Sequence, residues 1–593
     1  MKHLDSSMAT LQPDYSMATL HESVPRPPLH LASTITINDP PPIPIPISEP
    51  VLSKQQSRGK DFWLSFIAIV VTILLSALDL TAISTILPTL TADLDGGDDF
   101  TWVGSAYALA STAVLPLIGG LADSFGRKPV MLGCIVLFAI GSALAGSAQN
   151  MNWMIGARTV QGLGGGGIQT LTNIITSDLV PLAERGTYQG LIGLTIALAS
   201  GVGPPVGGAL AQKASWRWLF YINLPLCAIC FALVLFFLKV RTPPGSVKDK
   251  LSKIDWFGNV IIIAGTTLAI VGLTWGGTRY PWTDARVLAP LIVGVITMGA
   301  FVVYEIYVPE HPTIPFRAIA NRTSASGFAT ASVHGVASIS IIYYLPIYFQ
   351  AVLGASPIRS GVDMLAAALV ISPFALICGA VVKVTGKYRP VNYAGWIMMI
   401  VGFGLLSLLK ADSDVGHWVG YQILVSAGSG MIFSATVFPV LAPLPVSLTA
   451  PALAFFAFVK SFAQTWGITI SSTILQNQLK TNLPADFTSQ FPAGAEIAYA
   501  AIPAIPQLPE PLRTEVKVAF ASSMSTIWKT MIGFSGLGLL LLLLMKEVPM
   551  SATGDENFGL DSKKREVDVQ LEALESRGSV FGARDKPFDG SRQ

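Results

Sequence analysis

Residues 157–167 read Ala157-Arg158-Thr159-Val160-Gln161-Gly162-Leu163-Gly164-Gly165-Gly166-Gly167, and the fold turns on what surrounds them. On both sides the chain is apolar enough to be helix in a lipid bilayer. Yet here stand an arginine, a glutamine and a run of glycines. In a soluble helix each glycine costs about 1 kcal/mol against alanine. An ionised arginine at membrane depth is tolerated where it faces protein or water, so it marks a functional position. The rest of the chain has to explain Arg158.

Of the 593 residues, 51% are hydrophobic and 12% charged, about half the charge of a soluble domain. Apolar stretches of roughly 20 residues, enough to cross hydrocarbon, recur along the chain. They predict spans at 63–88, 101–122, 129–149, 152–177, 186–212, 217–238, 256–276, 287–308, 324–350, 361–382, 391–410, 417–442, 450–476 and 528–545. That is an all-α polytopic membrane protein with about fourteen transmembrane helices.

Basic residues fall in alternate loops. Lys54, Arg58 and Lys60 precede the first span, and Asp93, Asp95, Asp98 and Asp99 follow it. Arg127 and Lys128 follow the second span, Lys239, Arg241, Lys248, Lys250 and Lys253 the sixth, Arg317 and Arg322 the eighth, and Lys383, Lys387 and Arg389 the tenth. The positive-inside rule places those loops and both termini in the cytoplasm. The sequon Asn321-Arg322-Thr323 falls on that side, so no glycosylation is expected. Residues 1–60 are polar and proline-rich, with Ser7-Met8-Ala9-Thr10-Leu11 echoed by Ser16-Met17-Ala18-Thr19-Leu20. They read as a disordered tail. No basic-then-apolar leader precedes it, so no cleavable signal peptide is expected.

Several function classes drop out. No basic patch suited to nucleic acid is present, and the net charge is +2. Cys134, Cys227, Cys230 and Cys378 all lie in apolar runs, which points to packing rather than to a metal site or disulfides. There is no phosphate-cradling glycine–lysine loop, no HExxH and no serine elbow, so neither enzyme activity nor a cofactor or metal is expected.

Four stretches carry chemistry. Gly119-Gly120-Leu121-Ala122-Asp123-Ser124-Phe125-Gly126-Arg127-Lys128 ends one helix on a carboxylate, turns on a glycine and follows with two cations. Such a cluster either latches helices through charge-assisted bonds or is an ordinary basic loop with an incidental acid. Gly203-Pro204-Pro205-Val206-Gly207-Gly208 places Gly203 and Gly207 on one helix face for close packing, with prolines that favour a kink. Leu78-Asp79-Leu80-Thr81 with Leu87-Pro88-Thr89 sets a carboxylate inside the first span, and Arg158 with Gln161 sets a cation inside the fourth.

Together these resemble the signature motifs of the major facilitator superfamily, in the fourteen-span drug:proton antiporter branch. The loop at 119–128 is similar to its signature loop, Arg158–Gly162 to its second motif, 203–208 to its antiporter motif and 78–89 to its leading motif. Trp216-Arg217-Trp218-Leu219-Phe220-Tyr221-Ile222-Asn223-Leu224-Pro225 and Tyr343-Tyr344-Leu345-Pro346-Ile347-Tyr348-Phe349-Gln350 resemble signatures of fungal members. The resemblance covers about 60–545. It implies the major facilitator fold: an N-terminal six-helix bundle at 61–238, linkers and two inserted helices at 239–323, and a C-terminal bundle at 324–545 with a long extracellular loop near 477–527. A cytoplasmic tail follows at 546–593.

Depth sharpens the site. Asp79 lies about nine residues from the outer end of its helix and Arg158 about six residues into a helix entering from outside, or roughly 14 and 9 Å. An aspartate alternating between a cavity and an arginine's field would carry protons; a permanent pair would only brace the bundle. Arg158 itself keeps its charge, so its part is to tune. Gln161, His334, Lys460 and Gln464 are candidates for a substrate cavity, with helix packing the other reading for His334 and snorkelling for Lys460. The related branch often has arginine near Lys460. Glu305 is expected at the interface, and Asp178, Glu184 and Arg185 either join the latch or line a solvated loop.

The expected function is proton-coupled efflux of small lipophilic compounds or secondary metabolites from a multi-pass plasma-membrane monomer. With Asp79 the one deep carboxylate, neutral or anionic cargo is favoured. The partners are a small-molecule substrate, protons and the bilayer. Vacuolar transport of basic amino acids, or export of iron chelates, is the rival within the superfamily. A non-transporting sensor is the rival outside it, and the short tails speak against it.

Overall fold

The structure, a computed structural model, describes residues 59–94, 102–277, 280–314, 316, 321–488, 501–502 and 504–550. The tail before residue 59 with its repeat, Asp95, Asp98, Asp99 and Arg317, residues 489–500 of the long loop and the tail from 551 lie outside the described residues.

The long helices are α1 (Lys60–Asp93), α2 (Trp102–Phe125), α3 (Arg127–Gly146), α4 (Met151–Leu179), α5 (Leu182–Lys213), α6 (Arg217–Phe237), α7 (Trp256–Trp275), α8 (Ala285–Tyr307), α9 (Arg322–Val352), α10 (Ile358–Thr385), α11 (Arg389–Leu406), α12 (Val415–Leu441), α13 (Thr449–Asn482) and α14 (Leu512–Leu544). Among the described residues, twelve of them are long and apolar enough to cross a membrane; α4 and α11 are packed among these twelve. Helices suit this solvent because they satisfy every backbone polar group within the segment.

Packing repeats along the chain. α1 packs on α5 and α6, α2 on α4, and α3 on α4 and α6. Eight helices later the partners recur: α9 on α13 and α14, α10 on α12, and α11 on α12 and α14. Two six-helix halves therefore share one plan, with α7 and α8 inserted between them. α7 lies on α8 and touches both α2 and α13, one helix from each half. An apolar cavity of about 450 Å³ separates the inserted pair from the C-terminal half, walled by Met298, Phe301, Phe458, Phe462 and Trp466.

The glycines of α4 now have a reason. A Cβ on Gly162 would stand 2.5 Å from the Tyr107 carbonyl oxygen of α2, and one on Gly164 2.5 Å from the Phe138 amide nitrogen of α3. Neither neighbour is a flexible side chain, so α4 fits its slot only without side chains there.

The halves meet through α2 with α13 and α5 with α10, which are equivalent pairs in the repeated plan. A Cβ on Gly119 would be 2.6 Å from Ala454 Cβ, and one on Gly186 2.5 Å from Gly379 Cα. These contacts lie at the end carrying Arg127, Lys239 and Lys383, here called the basic end.

Three expectations change. α14 begins at Leu512 rather than 528, and α13 runs on to Asn482, so the connection between them is shorter than 477–527. Arg513, Glu515 and Lys517 hide the first turns of α14 from an apolar window, although such residues form helix readily. Residues 546–548 are docked rather than solvated: Glu547 accepts from the Tyr388 and Arg389 amides at 2.8 and 3.3 Å, and Tyr388 donates to the Lys546 carbonyl. Glu547 thereby caps the start of α11, which has no cap of its own. Glu305 is 4% exposed rather than interfacial, because its carboxylate accepts from the Thr313 and Ile314 amides and ties α8 to the chain after it.

Candidate functional site

The charged core of the N-terminal half forms where α1, α4 and α6 converge. α1 supplies Asp79, α4 supplies Arg158 and Gln161 one turn apart, and α6 supplies Asn223 in its second turn. All four are 0% exposed. Arg158 Nη1 donates to Asp79 Oδ2 at 2.7 Å and to Gln161 Oε1 at 2.6 Å, while Nε donates to the Val103 carbonyl at 3.0 Å. The other carboxylate oxygen, Oδ1, accepts from Gln161 Nε2 at 3.0 Å and Asn223 Nδ2 at 2.8 Å. The Tyr107 ring lies 4.5 Å under the guanidinium, and its hydroxyl sits 3.1 Å from Ser76. Every partner of Asp79 is a donor, which suits an ionised carboxylate. Among the described residues Arg158 Nη2 is buried without a partner, so the arginine is held short of its full donor capacity.

At the basic end Gly126 turns between α2 and α3 with φ +90°, a conformation that glycine adopts without a Cβ clash. The turn carries Arg127 inward to 1% exposure. There its Nη1 donates to Asp123 at 2.9 Å and its Nε to Asp178 of α4 at 2.7 Å. Arg185 of α5 donates to the Ser177 and Val180 carbonyls. The latch thus joins α2, α3, α4 and α5 within one half. Lys128 is partly exposed and makes no ion pair among the described residues.

α5 carries 203–208 without a break in the helix. A Cβ on Gly203 would strike Thr81 Oγ1, whose hydroxyl hydrogen-bonds the Ala199 carbonyl at 3.2 Å. The glycine therefore lets α5 seat against α1 two residues from Asp79. Pro204, Gly207 and Gly208 belong to the same stretch.

A family model described as Major Facilitator Superfamily matches residues 69–468. The chain belongs to the Major Facilitator Superfamily. This superfamily member is 39% identical to a protein described as MFS-type efflux pump LUC4 of Fusarium sp, over 87% of this chain and 93% of that one. It is 38% identical to Efflux pump FUS6 of Gibberella moniliformis (strain M3125 / FGSC 7600), over 93% and 97%. Among solved structures, the human organic anion transporter MFSD10 (TETRAN) matches with a TM-score of 0.54 at 14% identity, covering 82% of this chain and 100% of that one, a likeness of fold.

In this superfamily member two residues expected at a substrate cavity, Gln161 and His334, are buried against neighbouring side chains. Gln161 is spent on Asp79, Arg158 and Ser142. His334 is 2% exposed, with Nε2 3.0 Å from Ser429 Oγ and its ring edge-on to Trp396. Lys460 and Gln464 are partly exposed. Asn223 is the member of this buried cluster that sequence reasoning passed over. It stood inside the quoted Trp216–Pro225 stretch, and an amide between the apolar Ile222 and Leu224 was the available signal. Asn321 caps α9 through the Thr323 and Ser324 amides.

Proposed function

We propose that this chain exports small, mostly lipophilic metabolites or toxins in exchange for protons by alternating access. The relatives described as efflux pumps support the cargo and direction, and the Asp79 site supports the coupling. The observation that carries it is the dry Asp79–Arg158 pair, with amide donors from Gln161 and Asn223 on the same carboxylate.

A proton arriving at Asp79 turns an acceptor-only carboxylate into a neutral acid. The pair with Arg158 then loses its attraction, while both amides lose an anionic acceptor. Because Asp79, Arg158 and Asn223 lie on three helices, loading the proton loosens the joint between α1, α4 and α6. With the basic end closed and the pair intact, the site is shut and unloaded. One proton moving down 100 mV supplies about 2.3 kcal/mol, enough for roughly a fifty-fold gradient of a neutral cargo. In this reading the basic end faces the cytoplasm of a plasma-membrane monomer, as the positive-inside rule directs.

The test is efflux of a chemically diverse panel from a pump-deficient yeast expressing the full chain, with and without a protonophore. Protonophore-sensitive efflux of lipophilic members is expected. A flat panel overturns the export reading, and efflux indifferent to the protonophore overturns the coupling.

A further inference from the structure

Among the described residues, four acids at the helix interfaces are matched by cations. Asp79 is bound by Arg158, Asp123 and Asp178 by Arg127, and Glu184 by Lys383. Lys460 is a cation at comparable depth for which the structure shows no such match. Among the described residues its ammonium has neither a carboxylate nor a hydrogen-bond acceptor, and it rests 4.1 Å above the Phe433 ring. A ring face offsets only part of the cost of an unpaired charge at this depth.

The place of Lys460 shows what would complete it. The next residue, Ser461, meets Thr112 of α2 across the halves at 2.6 Å. The residue after Phe433, Ser434, donates to the Gly186 carbonyl of α5 at 3.3 Å, again across the halves. Lys460 and Phe433 are thus each one residue from a contact that crosses between the halves. The aromatic side of α13, with Phe458, Phe462 and Trp466, turns toward the inserted pair. Gln464 follows Lys460 one turn later on the same face and is partly exposed.

We infer that Lys460, backed by the Gln464 amide and the Phe433 ring, is the anion-recognition group of the transport cavity, and that the preferred cargo is a lipophilic organic acid. The carboxylate, or an equally acidic enolate or phenolate, takes the ammonium as its counter-ion and the amide N–H as a second donor. The apolar body of the cargo lies along Phe433. This rests on the export reading and names the cargo class for it. Acidic cargo leaves the cavity neutral when bound, whereas a neutral analogue leaves the ammonium unmatched.

The test uses the full chain in nanodiscs and measures binding directly, so that it stands apart from export. Naphthyl, biphenyl and phenylbutyl carboxylates are each titrated beside the matching primary amide. The acids are expected to bind at least ten-fold more tightly than their amides. Lys460→Met is expected to erase that preference, acid affinity falling to that of the matching amide, and Lys460→Arg to restore it. Equal binding of every acid and amide to the unaltered protein overturns the inference, as does a preference that survives in Lys460→Met. If acids bind as expected while the yeast panel stays flat, export fails and anion recognition stands. Lys460→Gln is the fallback should the Met variant not fold.

Discussion

Lys383 Nζ of α10 stands 3.3 Å from Glu184 Oε1 of α5, an ion pair that crosses between the two halves at the basic end. It is one seam of the closed face, opposite the contact of Gly119 with Ala454. Lys383→Ala removes the cross-half attraction. Lys383 is exposed and Glu184 partly exposed, so the pair contributes about 0.2–1 kcal/mol. Opening at the basic end, read by maleimide labelling of a cysteine placed in the α5–α10 seam, should rise a few-fold. The exchange Glu184→Lys with Lys383→Glu should restore the original labelling; no restoration would assign the effect to something other than the pair.

Asp79→Asn keeps the shape of the site and removes its charge. The chain should insert normally, yet pH-gradient-driven uptake into inverted vesicles should be abolished. Arg158 is left buried without a counter-ion, so thermal stability should fall as well, by about 3–5 kcal/mol if the site cannot relax. Coupling that survives in this variant would remove Asp79 from the proton path.

Arg127→Ala withdraws the guanidinium shared by Asp123 and Asp178. Cargo binding should persist, because the latch is remote from Lys460, while turnover slows. The informative contrast is Lys128→Ala, which should leave turnover unchanged. Equal effects of the two would mean that loop charge, not the latch, matters.

Gly162→Ala drives a Cβ into the Tyr107 carbonyl. Overpacking of this kind typically costs about 1–3 kcal/mol. Gly156→Ala on the same helix meets nothing within 4 Å and should be neutral or slightly stabilising. Melting temperatures of the two variants decide it.

Asp93 offers a pH test at the opposite end. Hydrogen bonds from Arg217 and Trp216 hold its carboxyl below the usual carboxylate range. The folded value is lowered, so the stabilisation is fully present above the unfolded value near 4 and is lost as pH falls through the lowered folded value. The melting-temperature gap between the unaltered chain and Asp93→Asn should hold steady from neutral pH to about 4 and close below it. A gap that widened on acidification would contradict the sign.

Much of the site was legible because a helix converts sequence position into depth. Asp79 and Arg158 lie on different helices, yet counting residues from their ends put them at comparable levels, and they do meet. Gln161 was legible as a polar intramembrane residue but not as a partner of Asp79, since depth leaves rotation about the helix open. Asn223, Ser142 and Val103 complete the site from three further places in the chain. His334 went the other way, closed off by Ser429 and Trp396, which its neighbours in sequence do not announce.

The sequence by itself determined that the chain is helical and membrane-spanning, where most helices lie and which motifs they bear. Each of those properties is local: apolar length, helical rise, and charge in the next loop. Only the tertiary structure decided which charges cancel. It paired Asp79 with Arg158, gave Arg127 two carboxylates, joined Glu184 to Lys383 across the halves and left Lys460 over Phe433. Charge neutralisation acts through space over a few ångströms, so it depends on which helices are neighbours and how each is turned. The glycine run beside Arg158 belongs to both accounts: visible in the chain as an anomaly, and explained by the backbones of α2 and α3 that lie against it.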